Sequence, residues 1–352
     1  MGKTILIVVG QLGNGGAERA SLNLANFLAR RNWDVHMVLF FGERSEYPVD
    51  ERIRLYVLKN HENSCLRKIV RLWSFERYLR EIRPDLLLSQ GFGYPYLDAT
   101  NAYRRCKVVL CETNDPASSY PTAFSRWYAQ HSFKRAYRVA FQTREEQEFF
   151  PESVREKSEI IPNPLKEGLP HRFTGQRRKE IVSFCRFEPQ KNLSLLIRAF
   201  HGVHEKHPDY RLSLYGRGSE EEKLKTLTRD LGLTNAVTFH PFSSTVHEDV
   251  LESAMYVSSS HYEGLSNAMI EAMAIGLPCV CTDSAGGGAR SLIRSYENGI
   301  LVPPDDEAAL TRGMLDVIEQ PGLSEKLSAN ASKLRDVLDS DMICEQFEAL
   351  LR

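Results

Sequence analysis

The chain has 352 residues, of which 42% are hydrophobic, and its formal net charge is −1. This length suits two domains of ordinary size, each with its own core. A small excess of cations in the first half is too weak to argue for a nucleic-acid partner. The chain lacks an apolar run long enough to span a membrane, and its start is expected to be a buried strand, not a signal peptide. Seven cysteines without a C-x-x-C pair favour a reducing cytoplasm over a disulfide framework.

The first half alternates predicted strands and helices. The run TILIVV is apolar throughout, as expected for a parallel strand that is covered on both faces. Alternation of this kind predicts an α/β, doubly wound domain. The predicted strands are residues 4–9, 35–41, 54–58, 85–89, 108–111 and 138–142, and the predicted helices are residues 17–30 and 66–83.

A break follows at residues 160–164, IIPNP, because two prolines around an asparagine stop both helix and strand. The same alternation then restarts. Strands are predicted at residues 181–185, 211–215, 237–239, 256–259 and 279–281, and helices at residues 193–207, 220–231, 250–254 and from about residue 266. We therefore expect domains at residues 1–163 and 164–338, followed by a terminal helical segment at residues 339–352.

One stretch, residues 258–283, carries the strongest functional pattern, SSSHYEGLSNAMIEAMAIGLPCVCTD. Glu263 and Glu271 stand eight residues apart, so a helix that begins near Ser266 puts Glu271 in its second turn and leaves Glu263 just before its start. The unpaired N–H groups at a helix start form an anion site. Those groups belong here to Gly264, Leu265, Ser266 and Asn267. Carboxylates that accept from sugar hydroxyls, beside N–H groups that hold a diphosphate, predict a nucleotide-sugar site.

This stretch resembles the E-x7-E motif of retaining glycosyltransferases of the GT-B fold, and it is most similar to glycosyltransferase family four. The resemblance implies two Rossmann-like, doubly wound domains that face each other across a cleft. Residues 1–163 would bind the acceptor, residues 164–338 would bind the nucleotide sugar, and the last helix would cross back to the first domain. The alternative interpretation of the two glutamates is an amphipathic helix with two solvated carboxylates.

Arg186 and Lys191, in CRFEPQKN, follow the first predicted strand of the second half. Arginine grips phosphate oxygens in a fork and lysine adds a point charge, so the pair is suited to neutralising a leaving diphosphate. Their spacing resembles the R-x4-K pattern of the family, although two solvated surface cations remain the alternative. With these cations on the diphosphate, we expect neither a metal ion nor a cofactor beyond the nucleotide-sugar substrate.

Three loops are assigned to substrates by the same resemblance. Gly15 and Gly16, between the first strand and the first helix, are similar to the glycine-rich loop that shapes the acceptor and phosphate side of the site. Gly216 is part of a turn similar to the G-x-G turn of the family, and Phe242 belongs to a segment whose backbone reads the nucleobase. Ordinary structural turns are the alternative for Gly216 and Phe242.

Glu112 occupies a position where many family members carry a histidine near the donor sugar. It follows the strand VVLC at residues 108–111, and the chain has no histidine at this place. Glu112 is the nearest polar replacement and is therefore a candidate catalytic residue. The alternative is that the segment ETNDP only ends the strand in a turn.

The predicted helix at residues 66–83 combines an apolar side with many cations. Arg67, Lys68 and Arg71 are the candidates for contact with an anionic membrane or with a lipid-linked diphosphate, as in basic amphipathic helices that lie on membranes. In the alternative interpretation, the apolar side packs on the sheet of the first domain and the cations are solvated.

The resemblance implies a retaining transferase that moves a hexose or an N-acetylhexosamine from a nucleotide sugar, with UDP as the expected nucleotide. The acceptor would be a glycan or a polyprenyl-diphosphate-linked saccharide, as in surface polysaccharide biosynthesis. A UDP-sugar epimerase of the GT-B fold and a non-catalytic scaffold that binds sugar nucleotides are the alternatives. The expected location is the cytoplasm, with peripheral attachment to the inner face of the cytoplasmic membrane as an open possibility.

Overall fold

The computed structural model describes residues 3–13, 16–42, 48–91 and 93–352. The chain divides into two compact units, Met1–Pro164 with Ser340–Arg352 and Leu165–Asp339. The division between Pro164 and Leu165 lies at the end of the proline-containing segment from which the sequence predicted a linker.

The first unit is built on a sheet of parallel strands. The strands are β1 (Thr4–Val9), β2 (Asp34–Leu39), β3 (Arg54–Val57), β4 (Leu86–Gln90), β5 (Lys107–Cys111), β6 (Arg138–Phe141) and β7 (Ser158–Ile160). Their order is β3-β2-β1-β4-β5-β6-β7, so the sheet grows outward from β1 on one side and from β4 on the other. From Ile5 to Val9, β1 is buried, which confirms that both faces of this strand are covered.

Helices cover the sheet of the first unit between its strands. They are α1 (Gly16–Arg30), α2 (Ser64–Ile82), α3 (Tyr94–Ala99), α4 (Ala102–Arg105), α5 (Pro116–Ser119), α6 (Ala123–Arg135), α7 (Arg144–Glu148) and α8 (Glu152–Arg155). Capping side chains set several of the starts. Thr122 forms a reciprocal capping box with Ser125 at α6, and Thr143 accepts from the backbone N–H of Glu146 at α7.

Helix α2 packs a cation inward together with its apolar residues. Phe75 and Leu79 are buried in the core of the first unit. The sequence named Arg71 as a candidate for contact with an anionic membrane or a lipid-linked diphosphate, and its burial contradicts the membrane contact, since Arg71 is only 8% exposed. Its guanidinium lies 4.5 Å from the centre of the Phe41 ring. The helical period puts Arg71 one turn before Phe75, on the face that packs inward.

The second unit repeats the α/β architecture. Its strands are β8 (Arg178–Phe184), β9 (Arg211–Tyr215), β10 (Val237–His240), β11 (Ser253–Ser258), β12 (Cys279–Thr282) and β13 (Ile300–Val302), in the order β10-β9-β8-β11-β12-β13. Its helices are α9 (Leu193–Lys206), α10 (Glu221–Asp230), α11 (Val246–Asp249), α12 (Asn267–Ala274), α13 (Gly288–Leu292), α14 (Glu307–Glu319), α15 (Leu323–Ala331) and α16 (Leu334–Val337), and a 3₁₀ turn spans Pro189–Lys191.

One predicted element of the second unit is wrong. The sequence predicted a short helix at residues 250–254, but α11 ends at Asp249 and β11 begins at Ser253. Met255 and Val257 of β11 are fully buried between β8 and β12. A short apolar run does not distinguish a helix from a central strand by its period alone, so the pairing partners decided the outcome.

The last helix, α17 (Ser340–Leu351), lies in the first unit and packs on α1. Glu348 accepts from the indole N–H of Trp33 at 3.1 Å and from Arg352 at 3.0 Å, and Arg31 lies 3.5 Å from the same carboxylate. Burial raises the pKa of Glu348, but the hydrogen bonds from Arg352 and Trp33 outweigh it and hold that pKa below its usual value. Across the described ranges, no helix combines the length and the apolar character needed to cross a bilayer.

Candidate active site

The second sheet reverses its direction of growth between β8 and β11. Strands β9 and β10 extend it on one side of β8, and β11, β12 and β13 extend it on the other. In open parallel sheets, the ligand crevice lies outside the carboxyl ends of the strands at such a reversal. Arg186 and Lys191 follow β8, and Glu263 follows β11, so the topology brings these three predicted residues to one crevice.

Lys191 and Glu263 are in contact at this edge of the sheet. The Lys191 ammonium makes an ion pair with Oε1 of Glu263. Ser260 donates to the same oxygen at 2.9 Å, and Nε2 of Gln190 lies 3.4 Å from Oε2. The side chains of Lys191 and Glu263 are 14% and 12% exposed, so the pair is shielded from solvent and yet reachable by a ligand.

Backbone contacts fasten the two loops that carry this ion pair. The hydroxyl of Ser259 donates to the carbonyl oxygens of Lys191 and Asn192 at 2.9 and 3.0 Å. The N–H of His261 donates to the carbonyl of Gln190 at 2.9 Å. The geometry of the pair therefore does not depend on two flexible side chains alone.

Glycines allow a third loop to cross directly against the end of β8. A Cβ at Gly216 would lie 1.9 Å from the carbonyl oxygen of Cys185, and one at Gly218 would lie 2.3 Å from that of Phe187. The φ of Gly216 is 149°, a backbone conformation that residues with a side chain rarely adopt. The G-x-G turn predicted from the sequence thus serves a close backbone crossing beside the candidate site.

The start of α12 lies at the same edge of the sheet. Ser266 caps the helix and accepts a hydrogen bond from the backbone N–H three residues on. Gly264 and Leu265 are buried, and the Gly264 carbonyl lies 1.9 Å from the position of a Cβ at Gly288. Oδ1 of Asn267 is buried and has no hydrogen-bond partner in the described part of the chain. A polar atom of this kind at a helix start is suited to meeting a ligand group.

Glu271 lies inside the unit in contact with a histidine. Its side chain and that of His247 are each 5% exposed, and Oε2 of Glu271 lies 2.7 Å from Nε2 of His247. The Lys166 ammonium lies 3.5 Å from Nδ1 of the same ring. Because an ammonium group can only donate, this contact makes Nδ1 an acceptor and leaves Nε2 to donate to Glu271.

The other predicted donor residues lie nearer the surface. Arg186 is exposed at the end of β8, and Phe242 is 36% exposed after β10. The ring of His240 stacks on Tyr215 with 4.4 Å between the ring centres, which fixes the backbone just before Phe242.

Sequence reasoning missed Gln190, Ser260 and His247. The first two are adjacent to predicted motifs, beside Lys191 and in the serine run before Glu263, so adjacency was an available signal. His247 stands 24 residues before its partner Glu271, and no local spacing rule joins them.

In the first unit, Gly16 is the first residue of α1, whereas Gly15 lies outside the described residues. Glu112 follows β5 directly and is only 2% exposed. Its Oε2 accepts from the Tyr120 hydroxyl at 2.7 Å, and its Oε1 accepts from the N–H of Thr113 at 3.1 Å. Glu112 therefore stabilises the turn that ends β5, as the structural alternative expects. Its catalytic role stays a prediction.

Burial raises the pKa of two carboxyl groups at this end of the first sheet. Burial raises the pKa of Glu112 to about 7, although hydrogen bonds from Tyr120 and from the following backbone oppose the shift. Burial also raises the pKa of Glu146 to about 9; the Gln142 N–H opposes this shift and the charge of Glu112 reinforces it. Among the residues that the structure describes, no group of three or more His, Cys, Asp or Glu side chains is placed to hold a metal ion.

The raised pKa of Glu112 predicts a pH-dependent stability of the first unit. Below about pH 4.5 the Glu112 carboxyl is protonated in both the folded and the unfolded state. Between about pH 4.5 and about pH 7 it ionises in the unfolded state alone, so the free energy of unfolding falls as the pH rises. At about 1.4 kcal/mol per pKa unit, the loss is about 3 kcal/mol at most. Glu112→Gln should make this slope shallower and leave the part that the raised pKa of Glu146 contributes. All three tryptophans, Trp33, Trp73 and Trp127, lie in the first unit, so urea unfolding followed by tryptophan fluorescence reports on it.

Glu159→Gln is the matched control, since Glu159 is exposed on β7 of the same unit. It should keep the wild-type slope between pH 5 and pH 8. An unchanged slope in Glu112→Gln would contradict the assignment of a raised pKa to Glu112.

Models of known families match both halves of the chain. The model described as "Glycosyltransferase Family 4" matches residues 14–167, and the model described as "Glycosyl transferases group 1" matches residues 171–334. The two matches follow the two units of the structure.

Relatives and solved structures agree over the whole length. An uncharacterised glycosyltransferase of Haemophilus influenzae is 26% identical over 346 residues, with 96% of each chain covered. A Campylobacter jejuni protein, named N-acetylgalactosamine-N,N'-diacetylbacillosaminyl-diphospho-undecaprenol 4-alpha-N-acetylgalactosaminyltransferase, is 24% identical over 94% of this chain and 93% of its own. The crystal structure of Anabaena HepE in complex with UDP and glucose is similar with a TM-score of 0.83 at 19% identity, over 99% of this chain and 98% of that one.

The resemblance to glycosyltransferases of the GT-B fold and the prediction of two doubly wound α/β domains are both confirmed. The family models cover both units, and relatives of the same class extend over the full length. The chain therefore belongs to the glycosyltransferases of the GT-B fold, with a first half of the family 4 type and a second half of the group 1 type.

Proposed function

We propose that this chain is a retaining, metal-independent hexosyl- or N-acetylhexosaminyltransferase that uses a UDP-linked donor. The Lys191–Glu263 ion pair at the strand reversal carries this proposal, because it sets a cation and a carboxylate beside the start of α12. The cation and the N–H groups of the helix start can bind a diphosphate, and the carboxylate can accept hydrogen bonds from sugar hydroxyls.

Each residue of the crevice has a separate task in this proposal. Lys191 and Arg186 neutralise the diphosphate while the bond between the sugar C1 and the phosphate oxygen breaks. A new bond forms on the same face between C1 and the acceptor oxygen, and the acceptor proton passes to the departing diphosphate. Glu263 binds hydroxyls of the transferred sugar, held in place by Ser260 and Gln190. No protein nucleophile and no metal ion is required.

The similar proteins support the choice of substrates. The Campylobacter jejuni relative is named for transfer of N-acetylgalactosamine to an undecaprenol-diphosphate-linked saccharide, and HepE was solved with UDP and glucose. We therefore extend the proposal to a UDP-hexose or UDP-N-acetylhexosamine donor and to a glycan or polyprenyl-diphosphate-linked acceptor.

Removal of the diphosphate cations should slow transfer. A hydrogen bond to a charged group contributes about 1.5–3 kcal/mol, so Lys191→Ala should lower kcat/KM by at least about tenfold. Arg186→Ala should act in the same direction. The measurement is UDP release with a panel of UDP-sugars and an undecaprenyl-diphosphate-linked saccharide as acceptor.

Lys326→Ala, which truncates an exposed lysine on α15 of the same unit, should leave the rate unchanged. Near-normal kcat/KM in both Lys191→Ala and Arg186→Ala would exclude the assignment. Conversion of the donor into an isomeric sugar nucleotide without transfer would identify an epimerase instead.

Glu271 has a different task, which is to accept from the ribose hydroxyls of the nucleotide. Its buried contact with His247 orients the carboxylate through Oε2. His247 is thus a positioning residue for Glu271, and Lys166 sets the tautomer of its ring.

Variants of this pair should affect the affinity for UDP itself. Glu271→Ala and His247→Ala should each weaken UDP binding by about tenfold or more in calorimetry, and His247→Gln should recover part of the loss because its amide N–H can still donate. Glu263→Ala is the contrasting variant: it should not weaken UDP binding, because it leaves the Lys191 cation without its carboxylate partner, and it should reduce turnover. The reverse pattern for the two glutamates would refute the division of tasks.

The outer side of α2 supports a peripheral contact with an anionic membrane. Leu66, Ile69 and Trp73 are 45%, 64% and 54% exposed. Lys59 and Arg77 each place their charge 5.7 Å from the centre of the Trp73 ring. Exposed apolar side chains with cations around them are typical of helices that lie in a membrane interface. We call these residues, together with the exposed Lys68, the α2 outer face.

The cations of the α2 outer face differ from the set that was predicted from the sequence. Arg71 is buried, and Arg67 is half-buried and donates to the carbonyl oxygens of His61 and Glu62 at 3.0 Å, so Lys68 is the exposed member of the predicted trio. A lipid-linked acceptor and this surface together favour a position at the inner face of the cytoplasmic membrane.

Binding of the α2 outer face to a membrane should be apolar and electrostatic together. The protein should co-sediment with vesicles that contain phosphatidylglycerol at low salt and detach at high salt, since each cation contributes about 1 kcal/mol. Ile69→Ser combined with Trp73→Ser should abolish sedimentation, and Lys68→Glu combined with Arg77→Glu should weaken it at least tenfold.

Val337→Ser is the control, because Val337 is 60% exposed on the second unit. In a background with Trp33→Phe and Trp127→Phe, vesicles should shift the emission of Trp73 to the blue. Wild-type protein that stays in the supernatant at low salt would exclude this contact.

A further inference from the structure

The first unit contains a basic cavity at the edge of its sheet opposite the carboxyl ends. This cavity has a volume of about 730 Å³ and lies at the amino ends of β1, β4, β5 and β6. Its cationic lining consists of Lys3, Arg83, Arg104, Arg105, Lys107 and Arg135, and its acidic lining in the described residues is Asp85. We call it the basic basin. Because it opens at the other edge of the sheet, it is separate from the turn that contains Glu112.

Among the described residues, several cations of the basic basin have no carboxylate in contact. Arg105 contacts Glu76 at 2.8 Å, and Arg135 contacts Asp98. The remaining acid, Asp85, already accepts from the N–H of Thr4 at 2.8 Å.

In the described part of the chain, no carboxylate contacts Lys3, Arg83, Arg104 or Lys107, so a net positive charge remains. The Lys107 ammonium, 3.3 Å from the Tyr137 hydroxyl, lowers the pKa of that phenol below its usual value. Tyr137 is itself part of the lining, so this lowered pKa is consistent with a positive potential in the basin.

Helix ends account for only some of these charges. Arg104 and Arg105 lie in the last turn of α4, and Arg135 ends α6, where cations complement the helix dipole. Lys3 and Lys107 belong to strand starts, where no helix end explains them. Arg83 follows α2 with a φ of 43°, a left-handed conformation in which glycine is usual and an arginine is strained.

We propose that the basic basin is a binding site for a phosphate-bearing ligand. Guanidinium groups match phosphate oxygens in a fork, and the lysines add charge from the strand starts. A volume of about 730 Å³ suits a ligand larger than a single phosphate ion. The same phosphate chemistry is offered by a soluble phosphorylated compound and by the headgroup of an anionic phospholipid, and the experiment separates these two sources.

The chain contains a built-in reporter for this site. Lys3 lies 5.7 Å from the centre of the Trp33 ring, and the second unit, which carries the proposed donor site, contains no tryptophan in the sequence. Inorganic pyrophosphate that binds in the basin should therefore change the tryptophan fluorescence in a saturable way. The titration is run on the full chain in the presence of saturating UDP, so that the donor site is already occupied.

The test variant is Arg104→Glu with Lys107→Glu, and the control variant is Arg144→Glu with Arg155→Glu. The control makes the same charge change at exposed positions of α7 and α8 in the same unit. The test variant should weaken pyrophosphate binding at least tenfold, whereas the control should bind like the wild type. Arg104→Gln with Lys107→Gln repeats the test without charge reversal, and urea unfolding followed by tryptophan fluorescence confirms that the first unit of each variant is folded.

The second arm uses phosphatidylglycerol vesicles with the α2 outer face left intact. Loss of pyrophosphate binding together with a tenfold loss of vesicle binding supports a lipid headgroup as the ligand. Loss of pyrophosphate binding alone supports a soluble phosphorylated ligand. Unchanged binding of both probes in the test variant, or an equal loss in the control, overturns the proposal.

Discussion

The ion pair between Lys191 and Glu263 joins the two loops at which the second sheet reverses its direction. A shielded pair of this kind is sensitive, because removal of one partner leaves the other charge uncompensated. Glu263 also accepts from Ser260 and lies near Gln190, so its carboxylate would stay partly satisfied if the ammonium turned to a diphosphate as proposed. In the absence of a ligand, the ion pair therefore holds both side chains in position, and either group can still bind a ligand in the proposal.

The same crevice depends on backbone segments that approach more closely than side chains permit. Gly216 and Gly218 cross the end of β8, and Gly288 packs on the carbonyl of Gly264 before α12. These contacts position the start of α12 relative to the ion pair. Behind it, His247 holds Glu271 within the unit, so that rigid, buried neighbours define the site and the loop conformation follows from them.

The first unit distributes its charge between two edges of one sheet. Buried carboxyl groups with raised pKa values, Glu112 and Glu146, lie after β5 and β6 at the carboxyl edge. The cations of the basic basin lie at the amino edge, and those of the α2 outer face surround exposed apolar side chains. The small cation excess of the first half is thus gathered into surfaces where it can attract phosphate, which a net charge by itself does not reveal.

The sequence by itself determined the alternation of strands and helices, the start of α12 after Ser266 and the nearness of Lys191 to a strand end, because apolar runs, caps and turns act over a few residues. Only the tertiary structure decided that β7 and β13, of three residues each, are strands, and that residues 250–254 are not a helix. It also turned Arg71 inward and paired Glu271 with His247, 24 residues away. These outcomes depend on which distant segments pack together, and no local pattern records that choice.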